Sequence, residues 1–114
     1  MFSGEVSVKS LSAPNSELRL EHFLRIQTRL TQLVERHRRE DKCEPAEFVH
    51  EVLRCECVHI VTREENYAAM RAKGNYEVAG IVLRPWSTID LVRRESLWRQ
   101  MLRGKVANFA SFKP

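Results

Sequence analysis

The sequence predicts a mainly α-helical domain of three to four helices, with an irregular lead-in over residues 1–15 and a tail over residues 105–114. Three observations predict it. A long stretch after Ser16 carries apolar residues at helical spacing. Thr62-Arg63-Glu64-Glu65 is a capping box, with a threonine at the cap and a glutamate three residues on. Ser87 to Gly104 has the start and stop signals of a further helix. The 114 residues make one domain, 1–114.

The elements follow in order. Pro14-Asn15-Ser16 stops the lead-in and starts the first helix, expected from Glu17 to Arg39. Leu20, Phe23, Leu24, Ile26, Leu30, Leu33 and Val34 share one broad face of it, and that face reads as core. Pro45 suits the first position of a second helix, on which Phe48, Val49, Val52, Leu53 and Cys55 share a face. Residues 57–61 read as a short strand or the end of that helix. A third helix begins at the Thr62 cap and stops at Gly74-Asn75, both residues that tolerate the left-handed region. Residues 76–83 (YEVAGIVL) read equally as helix or strand. Pro85 closes that segment, Ser87 caps the last helix, and Gly104 ends it. Leu91, Leu97, Trp98, Met101 and Leu102 form its apolar arc, with Arg94 inside the arc.

Composition excludes several classes. Only 4 Gly and 4 Pro beside 30% charged residues describe a folded chain, not a low-complexity one. No apolar run approaches the ~20 residues that cross a bilayer. The opening residues lack a basic start followed by an apolar block, so no secretory signal is expected. With 3 cysteines, an odd number, a reducing intracellular compartment is the expectation. The formal charge of +4 is uneven. Arg84 to Lys105 holds six basic and two acidic residues, whereas Cys43 to Leu83 holds four basic and seven acidic ones.

Cys43, His50, Cys55, Cys57 and His59 are the residues that would be asked to hold a metal. Their spacing lacks a Cys-x2-Cys or His-x3-His pair, so no metal and no cofactor is expected. No phosphate-cradling glycine loop or nucleophile elbow is present, and the chain reads as non-enzymatic. Two binding classes remain. Arg84, Arg93, Arg99, Arg103 and Lys105 would contact phosphates while Trp86 or Trp98 stacks on a base. Protein docking accounts for more, because tryptophan and arginine dominate interface hot spots. The residues expected to carry it are Arg25, Arg29, Trp86, Arg93, Arg94, Trp98, Arg99, Met101 and Arg103, with Phe109 and Phe112 on the tail.

His59-Ile60-Val61-Thr62 and Lys73-Gly74-Asn75-Tyr76-Glu77-Val78 resemble the second-to-third-helix region of LYR-motif proteins. Phe23-Leu24-Arg25 stands nearest to the Leu-Tyr-Arg that defines them. The resemblance implies a three-helix mitochondrial subunit or assembly factor that docks an acyl carrier protein, with arginines meeting the carrier's acidic surface. Tyr76 to Trp86 (YEVAGIVLRPW) also resembles a segment of eukaryotic prolyl-tRNA synthetases, but the chain is too small for that catalytic domain. The expectation is therefore an accessory subunit or adaptor bound to other protein subunits, in a mitochondrial complex if the resemblance holds and otherwise cytoplasmic. Nucleic-acid binding by the last helix is the alternative.

Overall fold

A computed structural model describes residues 1–114, and it corrects the mainly α-helical expectation. The centre is a four-stranded mixed sheet in the order β2-β3-β1-β4. β1 is Phe2–Ser7, β2 is Leu18–His22, β3 is Val58–Thr62 and β4 is Leu83–Pro85. β3 runs parallel to β1 and antiparallel to β2, and β1 runs antiparallel to β4. Five helices surround the sheet: α1 (Ile26–Arg39), α2 (Pro45–Cys55), α3 (Arg63–Arg71), α4 (Tyr76–Ala79) and α5 (Leu91–Leu97). The sheet also departs from the three-helix architecture that the LYR-motif resemblance implies.

The lead-in is thus an inner strand. Phe2–Ser7 has little strand character of its own, and Gly4 interrupts it at φ 91°. The register with β3 shifts between Phe2 and Val6, as expected where a glycine bulges a strand. Two neighbours in the sheet decide its state, and both lie far along the chain. Residues 57–61 resolve as strand. β3 is buried on both faces, which suits a run of β-branched residues between two layers. Residues 76–83 resolve as neither alternative alone. A single helical turn, capped by the Asn75 side chain, ends at Gly80 in the left-handed region, and β4 follows.

The first helix starts nine residues later than expected, at Ile26 instead of Glu17. Leu18 and Leu20, which fit its apolar face, also fit the period-2 pattern of a strand, and pairing with β3 selects the strand. The capping box at Thr62 forms as expected: Thr62 Oγ1 accepts from the Glu65 N–H, and Glu65 accepts from the Thr62 N–H. The last helix is capped by Asp90, not Ser87, and its final turn, Trp98–Leu102, is π-helical.

The main core lies on one face of the sheet. Phe2, Val6, Val58 and Ile60 meet Trp86, Ile89, Leu97, Met101, Leu102 and Val106 there. Burying side chains of this size stabilises by roughly 1.5–3 kcal/mol each. On the other face Val61, Ala69 and Ile81 form a smaller cluster under α3 and α4. Neither cluster contains a residue of α1 or α2. These two helices form a hairpin of their own, closed by Leu33, His37, Phe48 and Cys55. The expected core helix is therefore part of an arm, and the molecule is elongated at 52 × 30 × 21 Å.

Candidate functional site

Two surfaces follow from this layout: a cleft where the hairpin meets the sheet, and the outer face of the hairpin.

The cleft floor grows from strand register. Glu21 on β2 stands directly opposite His59 on β3, so both side chains leave the sheet on the α3–α4 face. Tyr76, the first residue of α4, covers the pair. Its hydroxyl donates to Glu21 Oε2 and lies 3.0 Å from His59 Nδ1. A phenol has one proton, already given to the carboxylate, so His59 Nδ1 carries a proton and donates to the phenol oxygen. Nε2 is then the unprotonated, accepting nitrogen. Burial holds the His59 pKa well below its ordinary value, at about 4, and the ring stays neutral near pH 7. Burial, with the bond to Glu21 next, pushes the Tyr76 phenol far up. Phe23 stacks on the other side of the imidazole, 4.0 Å between centroids and 6° from parallel.

The walls come from the β2–α1 connection, the first turn of α1, the end of α2 and the α3–α4 turn, and they enclose about 1370 Å³. Arg25, Arg29 and Lys73 line the cleft against a single lining carboxylate, Glu56. Arg29 lies 3.8 Å from Glu51. Arg25 reaches only the Met70 carbonyl, at 3.5 Å, and Lys73 makes no ion pair. Lys73 and Gly74 both take positive φ, 54° and 84°. A Cβ at Gly74 would stand 3.4 Å from the Phe23 carbonyl oxygen, in van der Waals contact, so the turn lies beside the end of β2.

The hairpin has two unlike sides. At ~100° per residue, Arg29 and Arg36 of α1 fall on the same side as Glu47 and Glu51 of α2. They pair there: Arg29 with Glu51, and Arg36 with Glu47. Glu47 is held at about 2 by its hydrogen bond with Glu44, then by that with His37, and further by Lys42 and Arg36. The opposite side carries Leu30 and Val34 of α1 beside Val49 and Leu53 of α2. Val34, Val49 and Leu53 are 42%, 60% and 51% exposed. Arg38 borders the strip; neither it nor Arg39 makes an ion pair.

The residues expected to bind a partner are distributed as follows. Arg25 and Arg29 stand at the cleft. Trp86 and Met101 are core side chains. Phe112 packs edge-on against Phe2 and Trp86, and Phe109 lies tilted against Trp98. Both tryptophan N–H groups are engaged on the tail: Trp86 Nε1 donates to the Phe112 carbonyl at 3.2 Å, and Trp98 Nε1 to that of Phe109 at 2.7 Å. The tail aromatics are thus half-buried and close the main core. Arg93 is a clamp, donating to the Ser10 and Ala13 carbonyls and to Asn15 Oδ1 at 2.7–2.8 Å. The Nε of Arg94 is buried without a partner. Arg103 lies over the Trp98 ring, and Arg99 is exposed.

The five cysteine and histidine residues do not converge. Cys43 is exposed in the hairpin turn, His50 points out from α2, and Cys55 is buried where α2 ends. Burial, then the Glu51 charge, raises the Cys55 thiol pKa. No group of three or more His, Cys, Asp or Glu is placed to hold a metal ion. No helix is long and apolar enough to cross a membrane.

Sequence reasoning missed the Glu21–Tyr76–His59 network, because its members come from three segments. A hint existed in Glu21: once Leu18 and Leu20 are read as a strand, Glu21 falls on the opposite face, where a buried carboxylate needs a partner. A comparison of the chain with protein-family models, with curated proteins and with solved structures finds no match.

Proposed function

We propose that the chain is a non-enzymatic accessory subunit or adaptor that docks on a protein partner through the outer face of the α1–α2 hairpin. One observation carries the reading. The hairpin pairs its charges on one side and leaves Val34, Val49 and Leu53 exposed on the other, away from both cores. Apolar side chains clustered on one face, bordered by polar ones, are what an interface centre needs. The occupant that fits is an amphipathic helix with an acidic border, since Arg38 beside the strip has no carboxylate of its own. An acyl carrier protein, with an acidic helical surface, belongs to that class. Nucleic-acid binding by the last helix has less support, because Arg93 and Arg103 are engaged within the chain.

The test is photo-crosslinking in the native source from a probe at Val49, with a probe at Arg99 as the contrast. The reading expects a protein adduct from Val49 alone, mapped to an acidic-bordered helix and lost when Leu53 is changed to Asp. Adducts to nucleic acid, to copies of this chain only, or equally from both positions contradict it.

A further inference from the structure

The cleft between the hairpin and the sheet has the parts of a second, separate binding site. Its first part is the N-terminal end of α1. Arg25 is the cap residue there, and no side chain satisfies the first N–H groups of the helix. Ile26, Gln27 and Thr28 line the cleft, so these groups and the positive end of a fourteen-residue helix open into it. The second part is cationic: Arg25 and Lys73 line the same cleft, and neither has a carboxylate partner. Amide donors at a helix start with two unpaired cations match a phosphate dianion better than a single carboxylate charge.

The third part is independent of the first two. His59 is 5% exposed and lines the cleft, yet its Nε2 has no hydrogen-bond partner in the protein. Tyr76 and Glu21 fix the proton on the other nitrogen. Nε2 is therefore an acceptor in a cleft whose cationic groups, Arg25 and Lys73, and helix-start amides are donors, with Glu56 the one lining carboxylate. A fully ionised anion such as sulfate would leave it unused, because it has no proton to donate. A ligand satisfies all of these groups when it carries a phosphate at one end and a hydroxyl at the other. We propose that this cleft binds a small phosphomonoester bearing a hydroxyl group, with the phosphate at Arg25, Lys73 and the start of α1, and the hydroxyl donating to His59 Nε2.

The experiment is a titration of the full ¹⁵N-labelled chain at constant ionic strength. The probes are sulfate, glycerol 1-phosphate and glycerol, and the readout is the backbone amides and the imidazole nitrogens. Sulfate and the ester should both give saturable shifts at Ile26, Gln27 and Gly74, and glycerol none. Glycerol 1-phosphate should bind more tightly than sulfate and alone should move the His59 Nε2 resonance. Arg25→Ala with Lys73→Ala should weaken binding by about ten-fold or more while the spectrum stays dispersed. His59→Gln should abolish the advantage of the ester over sulfate; if that variant does not fold, the Nε2 resonance of the natural chain decides. The proposal is overturned by an absence of saturation, by shifts spread equally over Arg38, Arg39 and Arg99, by full affinity in the double variant, or by an unmoved Nε2. Binding of a short RNA at the same amides without binding of the ester also overturns it.

Discussion

Glu21 and His59 face each other across the antiparallel strands β2 and β3 and meet at one phenol, that of Tyr76. A carboxylate, a phenol and an imidazole are thereby joined on a sheet face that α4 covers. The arrangement fixes the histidine tautomer, and it brings together the hairpin end of β2, the central strand and the α3–α4 turn.

The first prediction concerns pH. The unfolded chain protonates His59 near 6.5, whereas in the folded chain its pKa is about 4. Between those values the unfolded state binds more protons, so stability is fully present above pH 6.5 and is lost as pH falls toward 4. Urea midpoints at pH 7, 5.5 and 4.5 should decline in that order. His59→Gln should lower the midpoint at pH 7 but flatten the decline. Glu47, held at about 2 in the fold, acts in a lower window, between 4.5 and 2, so the two contributions separate. An equal slope in the variant would refute the role given to His59.

The second prediction separates two arginines of the last helix. Arg93 donates to the Ser10 and Ala13 carbonyls and to Asn15, and so holds the stretch between β1 and β2 in place. Arg93→Ala removes those bonds and should cost on the order of 1–3 kcal/mol. Arg99 is exposed, and Arg99→Ala should change stability by less than about 0.5 kcal/mol. Thermal melts of the two variants check this; similar losses in both would contradict the clamp.

What the sequence could reveal depended on distance along the chain. The Thr62–Glu65 box spans three residues, and it forms as read. The end of the last helix at Gly104 is equally local, with φ at 70°. β1 was illegible because Phe2–Ser7 mixes Gly, Ser and Glu with two apolar anchors, and its partners are Val58, Ile60 and residues 83–85. β2 was hidden differently. Its leucines satisfy both a helical and a strand period, and only the pairing with β3 decides between them. Of the candidate sites, Arg25 and His59 were visible as residue types. Their shared cleft was not, because it exists only once β2, β3 and the α3–α4 turn are assembled.

The third prediction places the core. Leu97 is fully buried under the sheet, and Leu97→Ala should cost about 2–5 kcal/mol. Val49 is exposed on the hairpin, and Val49→Asp should cost less than about 0.5 kcal/mol. Urea unfolding of the isolated chain distinguishes them. A severe loss from Val49→Asp would mean that the hairpin belongs to the core.

The most direct test of docking by the hairpin is hydrogen exchange of the chain in its native complex, compared with the isolated chain. The account predicts new protection across α1 and α2, strongest around Val34, Val49 and Leu53, with little change in α5 and the π-helical turn. Protection centred on residues 84–105, with the hairpin exchanging as it does in isolation, would contradict it.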